Sequence, residues 1–120
     1  IQICRTTPCW LRGSDGLTDY LKKRLGVGMK EVTKDGLFSM MEVECLGACC
    51  NAPMVQINDD FYEDLTPETL GKVLDELAAG RKPQTGPQNG RRASMAEGGQ
   101  TTLKEIPLSY DMSPDLAGGK

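Results

Sequence analysis

Five cysteines, grouped in two clusters, are the most chemically informative residues of this sequence. Cys4 and Cys9 are separated by four residues, Cys45 and Cys49 by three, and Cys50 follows directly. Four thiolates suffice to bind one zinc ion or one two-iron cluster. If four ligands suffice here, pairing the two spacings makes Cys49 the fourth ligand. We then expect Cys50 to be a small buried residue, as free cysteines commonly are.

Three kinds of cysteine site compete for this pattern. A disulfide framework is disfavoured because the count is odd, the chain is not dense in cysteine and no secretory signal is visible. Structural zinc prefers closer spacing and often uses histidine, which this sequence lacks. A two-iron cluster is wider than one zinc ion, so its cysteine pairs can be spaced farther apart. The spacing therefore favours an iron–sulfur cluster and leaves a zinc site open.

Composition excludes several classes of function. Without histidine the chain cannot use histidine acid–base catalysis, a Cys–His dyad or a Ser–His–Asp triad. A net charge of −3 argues against nucleic-acid binding through a general basic surface. No apolar stretch approaches the length of about 18 residues that spans a bilayer. With 38% hydrophobic residues in 120, the core is modest, so a metal or a partner is expected to help stabilise it.

Each cysteine pair follows a run that is predicted to be a strand, 1–3 for the first pair and 37–44 for the second. The pairs then fall in loops rich in glycine and proline. Such loops let backbone N–H groups point at sulfur, and those hydrogen bonds tune the reduction potential of a cluster. The sequence therefore predicts both pairs at the ends of strands.

Two helices are predicted from their end signals. The first begins at the N-cap Ser14, directly after the first cysteine pair, and stops at Gly26. The second has Thr66 as its N-cap and Pro67 as its first residue, and it ends at Gly80. Leucines at helical spacing give each segment one apolar face.

Residues 54–57 and 61–63 flank a polar turn and predict a β-hairpin. Residues 1–80 therefore read strand, helix, strand, hairpin of two strands and helix, which makes an α/β domain with a small four-stranded sheet and two main helices. This order is a thioredoxin-like arrangement, and Pro53 lies where that fold commonly carries a proline. No C-x-x-C motif follows the first strand, so thioredoxin redox chemistry is not expected.

The composition changes from about residue 81. Residues 81–120 contain ten glycines and prolines in forty positions, and six Lys and Arg against four Asp and Glu give them a charge of +2. The first 80 residues carry −5, from eight basic and thirteen acidic side chains. Such a segment cannot bury a core of its own. We predict an extended C-terminal arm over 81–120 that lies on a partner, with disorder as the alternative.

Five stretches together resemble one family, the peripheral-arm iron–sulfur subunit of respiratory complex I (NADH:quinone oxidoreductase), often called the twenty-four-kilodalton subunit. They are CRTTPC at 4–9, EVECLGAC at 42–49, NAPMVQIN at 51–58, YEDLT at 62–66 and GPQNGRR at 86–92. The last is similar to the mitochondrial and alphaproteobacterial branch. The resemblance leads us to expect that the family's N-terminal helical segment is missing from this chain. Because the sequence begins at Ile1 inside an apolar run, we expect it to be the C-terminal part of a longer protein.

The resemblance implies a thioredoxin-like ferredoxin domain that holds one [2Fe–2S] cluster. The ligands that it implies are Cys4, Cys9, Cys45 and Cys49, and it implies no catalytic residue on this chain. The cluster is expected to accept one electron from flavin and to lie off the main chain of clusters leading to quinone.

The resemblance also implies partners and a location. The partners are the flavoprotein subunit, which binds FMN and oxidises NADH, and the large iron–sulfur subunit of the peripheral arm. The chain is then an electron-transfer subunit of a proton-translocating oxidoreductase and performs no hydride chemistry itself. It is expected at the cytoplasmic face of a bacterial inner membrane or the matrix face of the mitochondrial one, attached only through the complex and without nucleic acid.

Arg5 and Cys50 stand where many members of that family are expected to have small or apolar residues. Arg5 beside a ligand could raise the cluster's reduction potential, because a cation favours the more negative reduced form. Alternatively Arg5 points to solvent or to a partner. Glu42 and Glu44 would act in the opposite direction and lower the potential.

Three alternatives remain open from the sequence. The domain could serve as the equivalent subunit of a soluble NAD-linked hydrogenase or formate dehydrogenase. It could be a stand-alone thioredoxin-like ferredoxin. It could also be a structural zinc module that docks a partner, which metal content would reveal.

Overall fold

A mixed sheet of five short strands in the order β2-β1-β3-β4-β5 organises the chain in a computed structural model. The structure describes residues 1–96, 98–102 and 104. The strands are β1 Gln2–Cys4, β2 Met41–Val43, β3 Val55–Ile57, β4 Asp60–Glu63 and β5 Gly86–Pro87. β1 pairs in parallel with β2 and antiparallel with β3, β3 and β4 form the predicted hairpin, and β5 is parallel to β4.

The described part of the chain has three α-helices, α1 Thr7–Leu11, α2 Ser14–Leu25 and α3 Pro67–Ala78, and a 3-10 turn at Cys49–Asn51. The α3 prediction is confirmed at its start. Thr66 and Thr69 form a reciprocal capping box, and Pro67 occupies the first turn.

The start of α2 differs from the prediction by one residue. Gly13 is the N-cap, with a φ of +98°, and Ser14 is the first helical residue. This positive φ suits glycine and lets α2 start almost directly after α1. Sequence patterns did not predict α1, because five residues are too short to show an amphipathic period.

The sheet has five strands where four were predicted. The fifth, β5, lies at 86–87, inside the segment predicted as an arm, with Gly86 opposite Tyr62 and Pro87 opposite Glu63. Glycine and proline carry no strand propensity, so only the free edge of β4 explains this strand. The predicted strand over 37–44 is shorter, and only its last part joins the sheet as β2.

The core lies between the sheet and the paired helices α2 and α3. Its buried side chains are Ile3, Leu17, Leu21, Met40, Val55, Ile57, Tyr62, Leu65, Leu70, Val73 and Leu74. Truncating one such leucine to alanine typically costs about 2–5 kcal/mol. A second, smaller cluster of buried residues contains Cys4, Cys9, Ala52 and Met54. Two predicted ligands are therefore part of the apolar interior.

Pro53 lies before β3 as expected, and the Ala52–Pro53 peptide bond is cis. The Pro53 carbonyl accepts a hydrogen bond from the Leu65 N–H at 3.0 Å. No helix in the described ranges is both long enough and apolar enough to cross a membrane.

Candidate metal centre

The first thiol pair is buried where β1 leads into α1. Cys4 ends β1 and Cys9 lies within α1, and each is only 1% exposed. The Cys4 thiol hydrogen-bonds the Thr6 hydroxyl, with 3.2 Å between Sγ and Oγ1. The Cys9 thiol is a second hydrogen-bond partner of Cys4. The short helix therefore folds Cys9 back onto Cys4.

The two buried thiols differ in acidity. Burial, followed by the hydrogen bond to Cys4, raises the pKa of Cys9 to about 12, although the Met54 N–H acts to lower it. Burial also tends to raise the pKa of Cys4. Hydrogen bonds from Thr6, from Cys9 and from the Leu46 N–H outweigh burial, so the pKa of Cys4 falls below its usual value. In this pair Cys4 therefore deprotonates first.

The second thiol pair is exposed in the loop that follows β2. Cys45 Sγ lies 3.2 Å from Cys49 Sγ, and the Gly47 N–H donates to Cys45 Sγ at 3.4 Å. Gly47 has a φ of +85°, which a side chain would rarely adopt, so glycine is what lets the loop turn back towards Cys45. The Gly47 hydrogen bond and then the Cys49 thiol lower the pKa of Cys45, and the hydrogen bond with Cys45 raises the pKa of Cys49.

The two pairs lie near each other at the end of the sheet where β1 and β2 finish. β1 and β2 are parallel neighbours, so the loops that leave them start side by side. The Thr6 hydroxyl interacts with Cys4 and also with Cys45, one thiol of each pair. Cys49 lies near enough to Cys4 and Cys9 for the charges to interact. The four thiols that were predicted as ligands therefore lie close to one another.

This donor set fits a two-iron cluster. Each pair combines one thiol of lowered pKa with one of raised pKa. Burial is the main cause at Cys9, and the hydrogen bond with Cys45 is the main cause at Cys49, where repulsion between charged sulfurs 3.2 Å apart adds to it. Metal cations placed beside both pairs would remove that repulsion and let all four thiols ionise. Among the described residues, no three His, Cys, Asp or Glu side chains surround a common point as the ligands of a single ion do. The thiols lie instead as two pairs, and four thiolates are what a [2Fe–2S] cluster requires.

The expectation that Cys50 is buried is wrong. Its side chain is exposed, and the 3-10 turn buries Asn51 instead, at 2% exposure. Successive residues of such a turn point in different directions. Because Asn51 makes the buried polar contacts, the neighbouring Cys50 faces outward.

Arg5 neither points freely to solvent nor stands alone beside the site. Its guanidinium bonds Asp15 of α2 at 2.6 Å and Glu42 of β2 at 2.8 Å. The hydrogen bond to Asp15, followed by the one to Glu42, raises the pKa of Arg5. The two carboxylates therefore offset much of the charge that Arg5 brings near Cys4.

Sequence patterns did not single out Thr6, Asn51 or Arg91 as residues of this site. A hydroxyl two positions after Cys4 is a local signal that could have pointed to Thr6. The contacts of Arg91 with Asp64, Asn51 and Cys50 span 27 to 41 residues of sequence, so no local pattern predicts them.

Comparison with known proteins bears on the site's identity. The family model for thioredoxin-like [2Fe–2S] ferredoxins matches residues 1–78. A subunit of the NADH-quinone oxidoreductase of Rickettsia conorii is 61% identical over 77 residues, which cover 64% of this chain and 46% of that protein. Its counterpart in Rickettsia bellii is 62% identical over 77 residues, with the same coverage.

A mitochondrial protein of Dictyostelium discoideum, NADH dehydrogenase (ubiquinone) flavoprotein 2, is 47% identical over 116 residues. That match covers 97% of this chain and 47% of the relative, so the chain spans about half the length of the curated relatives it matches. These matches and the fold confirm the resemblance stated from the sequence: the chain belongs to the thioredoxin-like [2Fe–2S] ferredoxin family, whose cofactor is a [2Fe–2S] cluster.

Proposed function

We propose that this chain is an electron-transfer subunit of NADH:quinone oxidoreductase and accepts one electron from the flavin of a neighbouring subunit. We propose Cys4, Cys9, Cys45 and Cys49 as the four ligands of its [2Fe–2S] cluster. The observation that carries the proposal is the meeting of two thiol pairs, from two neighbouring parallel strands, at one edge of the sheet. The names of the similar proteins, which are subunits of this oxidoreductase, support the choice of complex.

Both pairs would contribute thiolate ligands to the cluster. When bound, the cluster supplies one-electron oxidation and reduction. The buried pair keeps water away from half of the site because Cys4 and Cys9 are 1% exposed. Both pairs lose their thiol protons on binding, so cluster uptake releases protons.

Hydrogen-bond donors then stabilise the negative charge left on the sulfurs. The backbone N–H groups of Leu46, Gly47 and Met54 point at Cys4, Cys45 and Cys9 respectively. The Thr6 hydroxyl can only donate to an ionised Cys4, because a thiolate has no proton to give. More such donors make an added electron easier to accept.

We further propose that the partners are the FMN-binding flavoprotein subunit and the large iron–sulfur subunit of the peripheral arm. The chain would be attached to the membrane only through the complex, at the cytoplasmic face in a bacterium or the matrix face in a mitochondrion. It would belong to an oxidoreductase without carrying hydride chemistry itself.

The division into a domain over 1–80 and an arm over 81–120 also remains a proposal. The family match over 1–78 supports the first boundary. Residues 86–87 join this chain's own sheet as β5. This part of the proposed arm therefore packs on the chain itself, and residues 105–120 lie outside the described part of the chain.

The test is reduction by NADH in the assembled complex. A tag on this chain is used to purify the complex anaerobically, and electron paramagnetic resonance is recorded after adding NADH. We expect bound FMN and a reduced [2Fe–2S] signal that disappears in Cys49→Ser and persists in Cys50→Ser. A cluster that dithionite reduces but NADH does not would contradict electron transfer from flavin, even if the ligands are correct.

A further inference from the structure

The loop that carries Cys45 and Cys49 lacks the support that holds the other thiol pair. Cys4 and Cys9 belong to a strand, a helix and an apolar cluster. The second loop contains only one 3-10 turn, Cys49–Asn51, and its thiols are exposed. Polar contacts from elsewhere in the chain must therefore hold it.

Asn51, two residues after Cys49, makes the first of these contacts. Its side chain is 2% exposed, and its Nδ2 donates to Glu63 Oε2 and to the Ala93 carbonyl, both at 3.0 Å. Its carbonyl accepts from the Asp64 N–H at 2.8 Å. Asn51 thus ties the turn to the end of β4 and to the segment 91–95.

Arg91 makes the second set of contacts from that segment. Its Nη1 donates to the Cys50 carbonyl at 3.1 Å, to Asn51 Oδ1 at 3.3 Å and to the Met95 carbonyl at 3.4 Å. Its Nη2 donates to Asp64 Oδ1 at 2.9 Å. One guanidinium therefore bridges the turn, the end of β4 and its own segment.

The bridge between Arg91 and Asp64 is buried, so its stability depends on both partners being present. The side chains of Arg91 and Asp64 are 9% and 2% exposed. Removing one partner of a buried ion pair leaves an uncompensated charge, which is strongly destabilising. The planar fork of arginine presents separate N–H groups to a carboxylate and to a carbonyl, whereas lysine offers its donors from one atom. Lysine at this position would therefore restore only part of the bridge.

We propose that Arg91 is a positioning residue of the cluster site. It fastens the turn Cys49–Asn51 to the end of β4 and so holds the exposed thiol pair where the cluster requires it. This inference rests on the proposed ligand set, because only then does the position of Cys49 decide how tightly the cluster is held. It assigns to the segment 91–95 a part in retaining the cluster.

The test compares cluster lifetime in variants of the chain after anaerobic reconstitution. Iron loss to a chelator is followed by absorbance, and the reduced form is examined by electron paramagnetic resonance. We expect Arg91→Gln to lose iron at least about tenfold faster than wild type, which is the effect typical of removing a supporting partner of a metal ligand. We also expect altered g-values, and an intermediate lifetime in Arg91→Lys. The matched control is Arg81→Gln, an exposed arginine of the same C-terminal region, and it should behave as wild type.

A second variant separates positioning from folding. Arg91→Gln combined with Asp64→Asn removes both buried charges, so it should fold even if the single variant does not. Faster iron loss from the folded double variant supports the proposal, and a wild-type lifetime with unchanged g-values overturns it. A wild-type chain that takes up no iron and sulfide would instead overturn the ligand assignment, and this inference with it.

Discussion

The two thiol pairs of this chain present the same chemistry on two different supports. Cys4 and Cys9 are held by a strand, a helix and an apolar cluster, and they are almost completely buried. Cys45 and Cys49 are held by a glycine turn, a 3-10 turn and a polar network, and they are exposed.

This difference indicates which half of the site depends more on the cofactor. Apolar packing sets the geometry of the buried pair whether or not a metal is present. The exposed pair depends on a few hydrogen bonds, each worth about 1 kcal/mol, and on the bonds to the cofactor itself. Losing the cofactor should therefore loosen the second loop first.

The largest effect is expected from replacing Cys49, a proposed ligand, and its neighbour Cys50 provides the control. Cys49→Ser should abolish cluster retention, because the pair at Cys45 and Cys49 is then incomplete. Since the loop is no longer tethered, the melting temperature of the variant should also fall below that of the holo protein. Cys50→Ser is the control, and it should keep iron and sulfide at wild-type levels. Equal iron loss in both variants would contradict the ligand assignment.

The next effect concerns the packing beneath the buried pair. Met54 is 1% exposed and belongs to the same cluster of buried residues as Cys4 and Cys9. In the apo chain, Met54→Ala should lower the free energy of unfolding by about 2–5 kcal/mol, because it leaves a cavity. Leu46→Ala, at the edge of the same cluster on the exposed loop, should cost clearly less. Urea denaturation measures both losses of unfolding free energy. Equal losses would contradict the difference in packing between the buried and the exposed thiol pair.

A smaller effect should follow from the hydroxyl that connects the two pairs. Thr6→Val removes a donor to Cys4 and Cys45, so the reduced cluster is less stabilised. A hydrogen bond of about 0.5–1.5 kcal/mol corresponds to a potential roughly 20–60 mV more negative for one electron. Redox titration measures the shift, and Thr6→Ser, which keeps the hydroxyl, is the control. A more positive potential in the valine variant would show that Thr6 does not act as a donor.

The smallest effect is expected at Arg5. The sequence alone suggested that its charge raises the reduction potential, but Asp15 and Glu42 offset that charge. Because exposed ion pairs contribute about 0–1 kcal/mol, Arg5→Gln should lower the potential by less than Thr6→Val does. An unchanged potential would refute any tuning by Arg5, and a shift larger than that of the valine variant would show that the two carboxylates do not neutralise it.

Local signals predicted the regular parts of this fold and missed those fixed by distant contacts. Thr66 and Pro67 predict the start of α3, and the polar turn after Ile57 predicts the hairpin. The local sequence does not predict β5, because Gly86 and Pro87 join the sheet through the free edge that β4 offers.

The same division holds at the site. Cysteine spacing brought out all four candidate ligands, but it predicted both pairs in loops, whereas Cys4 ends β1 and Cys9 lies within α1. The exposure of Cys50 was not predictable from its residue type, since it follows from the burial of the neighbouring Asn51. The bridge from Arg91 to Asp64 spans 27 residues, and only the folded chain brings those two charges together.

The metal content of the anaerobically purified chain decides whether it binds a [2Fe–2S] cluster. Iron, zinc and acid-labile sulfide are determined together, and an electron paramagnetic resonance spectrum is recorded after reduction. We predict two irons and two sulfides per chain with a rhombic one-electron signal, as a single [2Fe–2S] cluster requires. One zinc without sulfide would contradict an electron-transfer role and leave a structural metal module.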